Sequence, residues 1–181
     1  VVPAGVGKEL HLEVEVGGQV NAAWPHFRYA LPEVHQVVPD RAAAAGGERV
    51  AVEGVHFGVH APPSLEVTLG GRACTESKWV SDTRVECVVP AGVGKELHLE
   101  VEVGGQVNAA WPHFRYALPE VHQVVPDRAA AAGGERVAVE GVHFGVHAPP
   151  SLEVTLGGRA CTESKWVSDT RVECVVPAGV G

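Results

Sequence analysis

The run ELHLEVEV (Glu96 to Val103) alternates without a break: Leu97, Leu99, Val101 and Val103 on one face, His98, Glu100 and Glu102 on the other. A period of two marks a β-strand with one buried and one wet face. Other short runs follow suit. EVHQVV (Glu33 to Val38) is a strand ended by Pro39. ERVAVE places Val50 and Val52 against Arg49, Ala51 and Glu53. LEVTL points Leu65, Val67 and Leu69 inward before a Gly70–Gly71 turn, and Cys74 falls on the next short strand. TRVECVV sets Val85, Cys87 and Val89 opposite Arg84 and Glu86, and HFRYAL closes with Phe114 and Tyr116 on a common face. Between them, GVHFGVHAPPS carries glycines and a proline pair that forbid a helix, and GGQVNAAWP reads as a loop. About seven short strands at regular spacing predict an all-β, immunoglobulin-like sandwich.

The pattern then repeats. VVPAGVG opens the chain at Val1 to Gly7, returns at Val88 to Gly94 and closes it at Val175 to Gly181, and the offset of 87 holds at every aligned position. The sequence is two copies of one unit and the start of a third, a window on a repeating array.

The residues of one unit resemble the IPT/TIG domain family. The resemblance rests on the GG before the second strand, the G-x-x-F of Gly54 and Phe57, the SDT-R-V-x-C-x-V-P of Ser81 to Pro90, and the F-x-Y-x-x-P of Phe114 to Pro119; His56 departs from an Asn frequent in the family. It implies tandem immunoglobulin-like sandwiches stacked end to end. The register it sets makes 32–118 one complete domain, 1–31 the last strands of a preceding one and 119–181 the first strands of a following one.

Charge and cysteines narrow the function. The net charge of −8, shared evenly between the two copies, repels phosphate backbones and argues against nucleic acid. Cys74 and Cys87, repeated as Cys161 and Cys174, form no CxxC and no His–Cys cluster, so a disulfide within each unit is preferred to zinc. The family's cysteine pair, where present in receptor ectodomains, falls at these same positions. Both readings place the chain outside the cell or on its surface. No apolar run approaches a membrane span, which needs about 20 residues.

The joints carry the functional expectation. No linker separates the units, and Pro32 and Pro119 stiffen the crossings. One end of the sandwich should carry Asp40 to Gly46 and Pro90 to Gly94, the other Val55 to Pro63 and Gly104 to Pro112. Stacking brings the first set of one copy against the second set of the next. The joint is expected to involve Tyr29, Leu31, Pro32, Phe57, Pro62, Pro63, Val93, Trp111, Tyr116 and Pro119. The partial outer copies allow two readings: a window on a continuous chain, favoured because a native product begins with Met or a processed terminus, or strand donation from the next molecule.

Catalysis finds no support. His56 and His60 stand about 13 Å apart if extended, too far for one metal, and read as exposed loop residues. His11 and His98 read as surface residues. Glu13, Glu15, Glu100 and Glu102 read as a solvated face rather than a calcium cage. Ser64, Ser77 and Ser81 are placed in loops without a nucleophile elbow. Trp79 is read as core and Trp111 as a joint contact. The expectation is a structural subunit of a rod or filament that needs no cofactor, its partners being neighbouring repeats head to tail. The alternative is a multivalent adhesive or carbohydrate- or protein-binding ectodomain. Lateral bundling and a glycan or protein ligand stay open as further partners, and a DNA-binding role is disfavoured by the acidic charge.

Overall fold

The computed structural model describes residues 3–22 and 24–179, with side chains throughout except at Pro25 and His26. Val1, Val2, Ala23, Val180 and Gly181, assigned above to the outer copies, lie outside the described residues. Among the described residues there is no helix, hence none long and apolar enough to cross a membrane.

The first copy supplies β1 (Leu10–Leu12), β2 (Glu15–Val16), β3 (Gln19–Val20) and β4 (Trp24–Phe27); β1 pairs antiparallel with β4, and β2 with β3. The middle copy supplies β5 (Glu33–Val38), β6 (Arg41–Ala42), β7 (Arg49–Val55), β8 (Leu65–Leu69), β9 (Arg72–Ala73), β10 (Thr75–Ser81), β11 (Arg84–Val88), β12 (Leu97–Val103), β13 (Gln106–Val107) and β14 (Trp111–Tyr116). These build two sheets. One runs β10-β11-β7-β5; the other runs β6-β14-β12-β8-β9, with β13 folded back on β12.

Alternation decides what the sheets bury. On β7, Val52 pairs with Val85 and Val37, and Val50 with Cys87. On β12, Val101 pairs with Val67 and Leu99 with Leu69. All nine, with Phe114, are at most 2% exposed. Each such aliphatic side chain contributes about 1.5–3 kcal/mol relative to exposure, which makes these two central strands the stabilising axis. Ala51 departs from its outer-face assignment. It is buried because the longer Glu86 and Val38 flank its small side chain in register. Outside, Arg84 holds Glu86 at 2.8 Å and reaches Glu53 at 3.4 Å. The hydrogen bond from Arg84 holds the Glu86 carboxyl below the ordinary carboxylate value.

The last copy supplies β15 (Glu120–Val125), β16 (Arg136–Val142), β17 (Thr155–Leu156), β18 (Arg159–Ala160), β19 (Thr162–Ser168) and β20 (Arg171–Val175). The sheet β15-β16-β20-β19 repeats the register of β5-β7-β11-β10 pair for pair. Of the second sheet, the described residues form only the β17–β18 hairpin.

By their contacts the described residues gather into two compact units. One holds the residues up to Asp40, Gly47–Pro90 and Glu96–Phe114; the other holds Arg41–Gly46, Ala91–Lys95 and the residues from Arg115 on. β14 crosses the division, pairing with β12 at Phe114 and with β6 at Arg115 and Tyr116.

Three local expectations are corrected. Cys74 lies between β9 and β10 rather than on a strand. Ser77 and Ser81 belong to β10, a strand disguised by two register shifts against β11. Trp111 and Pro112 open β14 rather than lie in a loop, because Trp111 finds Leu99 opposite it on β12.

Candidate functional site

The G-x-x-F and SDT stretches act together. Gly54 passes so close to β5 that a Cβ there would meet the Glu33 carbonyl oxygen at 1.9 Å, so only glycine fits. The turn after β10 then holds the loop by its backbone donors. The Gly54 N–H donates to the Thr83 carbonyl (3.0 Å), the Phe57 N–H to the Asp82 carbonyl (3.0 Å), and the Gly58 N–H to Asp82 Oδ1 (2.9 Å). Trp79 Nε1 donates to the Gly58 carbonyl at 3.0 Å. The half-buried Trp79 is therefore a brace for Gly58 rather than a fully enclosed core residue. His56 takes φ 66°, a left-handed conformation in which Asn is favoured.

The braced Gly58 faces the preceding copy. A Cβ on Gly58 would lie 3.0 Å from Val6 Cγ1, and one on Gly104 would lie 3.1 Å from Val6 Cγ2. Beside this contact Gln106 is 4% exposed and uses both ends of its amide: Oε1 accepts from the Gly7 N–H (3.1 Å) and Nε2 donates to the Tyr29 carbonyl (3.0 Å). Tyr29 closes its own segment. Its N–H donates to the Gly7 carbonyl at 3.1 Å, its hydroxyl to the Pro3 carbonyl at 2.6 Å, and its ring covers Gly5.

The next copy repeats the contact. A Cβ on Gly145 would lie 3.0 Å from Val93 Cγ1. The Gly145 N–H donates to Asp169 Oδ1 (2.8 Å), its carbonyl accepts from Trp166 Nε1 (3.0 Å), and the ring of Tyr116 covers Gly92.

Of the expected joint residues, Tyr29 and Val93 thus lie at the contact, and Tyr116 shapes the loop that carries Val93. Pro32 is fully buried, whereas Leu31, Pro63 and Pro119 are exposed and Pro62 is half-buried. Phe57 is fully buried over Gly54 in its own sandwich, and half-buried Trp111 meets His113 edge-on at 5.1 Å. Gln106, Gly58 and Gly104 lie in the loops expected at that end but were not singled out by the sequence. A polar amide in a Gly-Gly turn looks like any exposed turn residue until something covers it.

All four cysteines are thiols. Cys74 and Cys87 share a hydrogen bond that, with burial, pushes the Cys87 thiol well above the ordinary value. Burial and the neighbouring Cys161 push Cys174 up to about 12. Among the described residues no three His, Cys, Asp or Glu side chains converge as a metal site. His56 and His60 are exposed, as are His11 and His98.

The IPT/TIG domain model matches residues 32–116 and again 119–181. The chain belongs to the IPT/TIG domain family. Human plexin-B1 is 29% identical over 136 residues, covering 72% of this chain and 6% of plexin-B1. Human fibrocystin-L is 27% identical over 160 residues, covering 84% of this chain and 4% of fibrocystin-L. The chain therefore spans a small fraction of the relatives it matches. Among solved structures, the surface glycan-binding protein PbSGBP-B of Prevotella bryantii superposes with a TM-score of 0.53 at 14% identity, over 84% of this chain and 38% of that one. That likeness concerns the fold alone: tandem immunoglobulin-like IPT/TIG domains.

Proposed function

We propose that the chain is a stretch of an extracellular or cell-surface rod of tandem, identical IPT/TIG repeats, whose work is to set length and stiffness. The observation that supports this most is the repeated contact, Val6 on Gly58 and Val93 on Gly145, each glycine held by the equivalent pair, Asp82 with Trp79 and Asp169 with Trp166. A head-to-tail contact that does not close propagates as an open fibre. Within each repeat, oxidation of Cys74 with Cys87, and of Cys161 with Cys174, by an external disulfide would close a short loop and add about 3 kcal/mol. Val6→Asp and Val93→Asp test the joint by small-angle scattering. The parent chain should scatter as a stiff particle and the variants as flexible ones, with unchanged circular dichroism. Scattering that is flexible already in the parent would sink the rod.

A second reading is a multivalent glycan- or protein-binding ectodomain. It is favoured by a cleft beside the first contact, lined by Pro3, Tyr29, His56, Val59 and Asp82, that offers an aromatic ring next to a carboxylate. Saturable binding on a glycan array, lost in Tyr29→Ala, would move the assignment to it.

A further inference from the structure

Strands β12 and β14 of the middle copy pair at Leu97–Phe114 and again at Leu99–Trp111, with a shift of register between the two. Between these points one residue of β12, His98, faces two of β14, Pro112 and His113. A bulge of this kind re-aims side chains, and bulges gather beside functional sites. Here it sets two imidazoles against each other on adjacent strands. Leu99 and Phe114 are buried while His98 and His113 are exposed, so both rings stand on the wet face.

Their surroundings suit a bound cation. Trp111 lies edge-on to His113, the ring centroids 5.1 Å apart and the planes at 85°, which limits how the His113 ring can turn. On the other flank of His98 the Gly70 N–H donates to the His98 carbonyl at 2.8 Å, and Gly70, having no side chain, leaves the His98 ring room to rotate. Glu100, exposed at the next outward position of β12, and Glu102, which stands opposite Glu66, make this face acidic. Arg115, the next outward residue of β14, offsets part of that charge. Residues opposed on neighbouring antiparallel strands hold their Cβ atoms about 4.5–5.5 Å apart. An imidazole nitrogen binds zinc at about 2.0–2.1 Å, so two such rings reach a common ion by side-chain rotation alone.

We propose that His98 and His113 together bind one late first-row divalent cation of the zinc type, each through a ring nitrogen, with water in the remaining positions. Imidazole suits zinc, copper and nickel, whereas calcium and magnesium prefer oxygen ligands. Two imidazoles make an open site rather than a closed structural one, in keeping with the absence of any third converging ligand among the described residues. The bound ion would cross-link β12 to β14 over the bulge. The site lies within a single sandwich and goes beyond the rod reading: its failure would leave the joint untouched, and scattering from the joint variants reports on that separately.

The test is calorimetric titration of Zn²⁺ into the 181-residue chain carrying His11→Gln, which removes the first copy's counterpart of His98. A binding event should appear that His98→Gln and His113→Gln each weaken by about tenfold or more, since the second imidazole acts at high effective concentration. The double variant should bind no worse than either single one, because one imidazole alone no longer chelates. His56→Gln and His60→Gln should leave that event unchanged, and Ca²⁺ should not reproduce it. Both substituted positions are exposed, so folding is preserved and is checked by circular dichroism. Zn²⁺ binding indifferent to either substitution, losses that add in the double variant, an equal loss in His56→Gln, or no Zn²⁺ binding at all would overturn the proposal.

Discussion

LEVTL occurs twice and folds two ways. As Leu65–Leu69 it is a five-residue strand paired with β12, with Val67 and Leu69 buried; as residues 152–156 it keeps two strand residues, and Leu156 is 57% exposed. The companion sheet does not change. Val50, Val52, Val85 and Cys87 are fully buried in the middle copy, and Val137, Val139, Val172 and Cys174 stay at most 7% exposed in the last. The difference is one of partners. β7 and β16 find both neighbours within their own copies, whereas β8 depends on β12, for which the last copy has no counterpart among the 181 residues. A strand without a ladder beside it has too little to offset its ordering entropy.

The head of the chain teaches the same lesson from the other side, and gives the largest expected effect. Leu99→Ala should cost about 2–5 kcal/mol in urea unfolding and Leu12→Ala no more than about 0.5, though the two leucines share their sequence context. Equal costs would mean that the head is covered in solution, and the contrast drawn above would collapse. Next comes the amide: Gln106→Ala strands the Gly7 N–H and the Tyr29 carbonyl and should cost about 1–3 kcal/mol, while Gln19→Ala should be nearly silent. Comparing both melts settles it.

Contacts made within one copy should not discriminate. Asp82→Ala and Asp169→Ala each remove the acceptor of a glycine N–H and should each cost about 1 kcal/mol, alike in the two copies. A clear inequality would show that the open copy is loosened as far as its SDT turn.

The thiols give a pH signature. With a folded value above the ordinary 9.0, Cys174 contributes stability that is complete below that value and is lost as pH rises through about 12. Iodoacetamide at mildly alkaline pH should spare Cys174 in the native reduced chain and label it on unfolding; Cys174→Ser should flatten the alkaline loss of stability. Smallest of all, His56→Asn relieves a left-handed residue and should raise the melting temperature by a degree or two.

Much of this was legible in the residues. Strict alternation located β7, β8, β11 and β12, the Pro39 stop marked β5, and the SDT, G-x-x-F and F-x-Y spacings carried the family. Val93 and Tyr29 could be proposed for a joint because loops of such a sandwich gather at its ends. Gln106 falls in one of those loops, but no local pattern singled it out. Its burial comes from residues 7 and 29, about a whole repeat away, and no local pattern encodes that. Ser77 and Ser81 were missed because β10 is polar and irregular, held by its pairing with β11 rather than by an apolar face.

Local sequence by itself determined the strands that pair within a copy, the turn that braces Gly58 and Gly145, and the exact repetition that makes one contact the template for the next. Tertiary structure alone decided which of two identical segments is buried. Leu12 and Leu99, Gln19 and Gln106, and Leu69 and Leu156 have the same local chemistry, yet burial depends on what else comes to lie against them. The hydrophobic effect responds to area removed from water, and that area is created only when two surfaces meet.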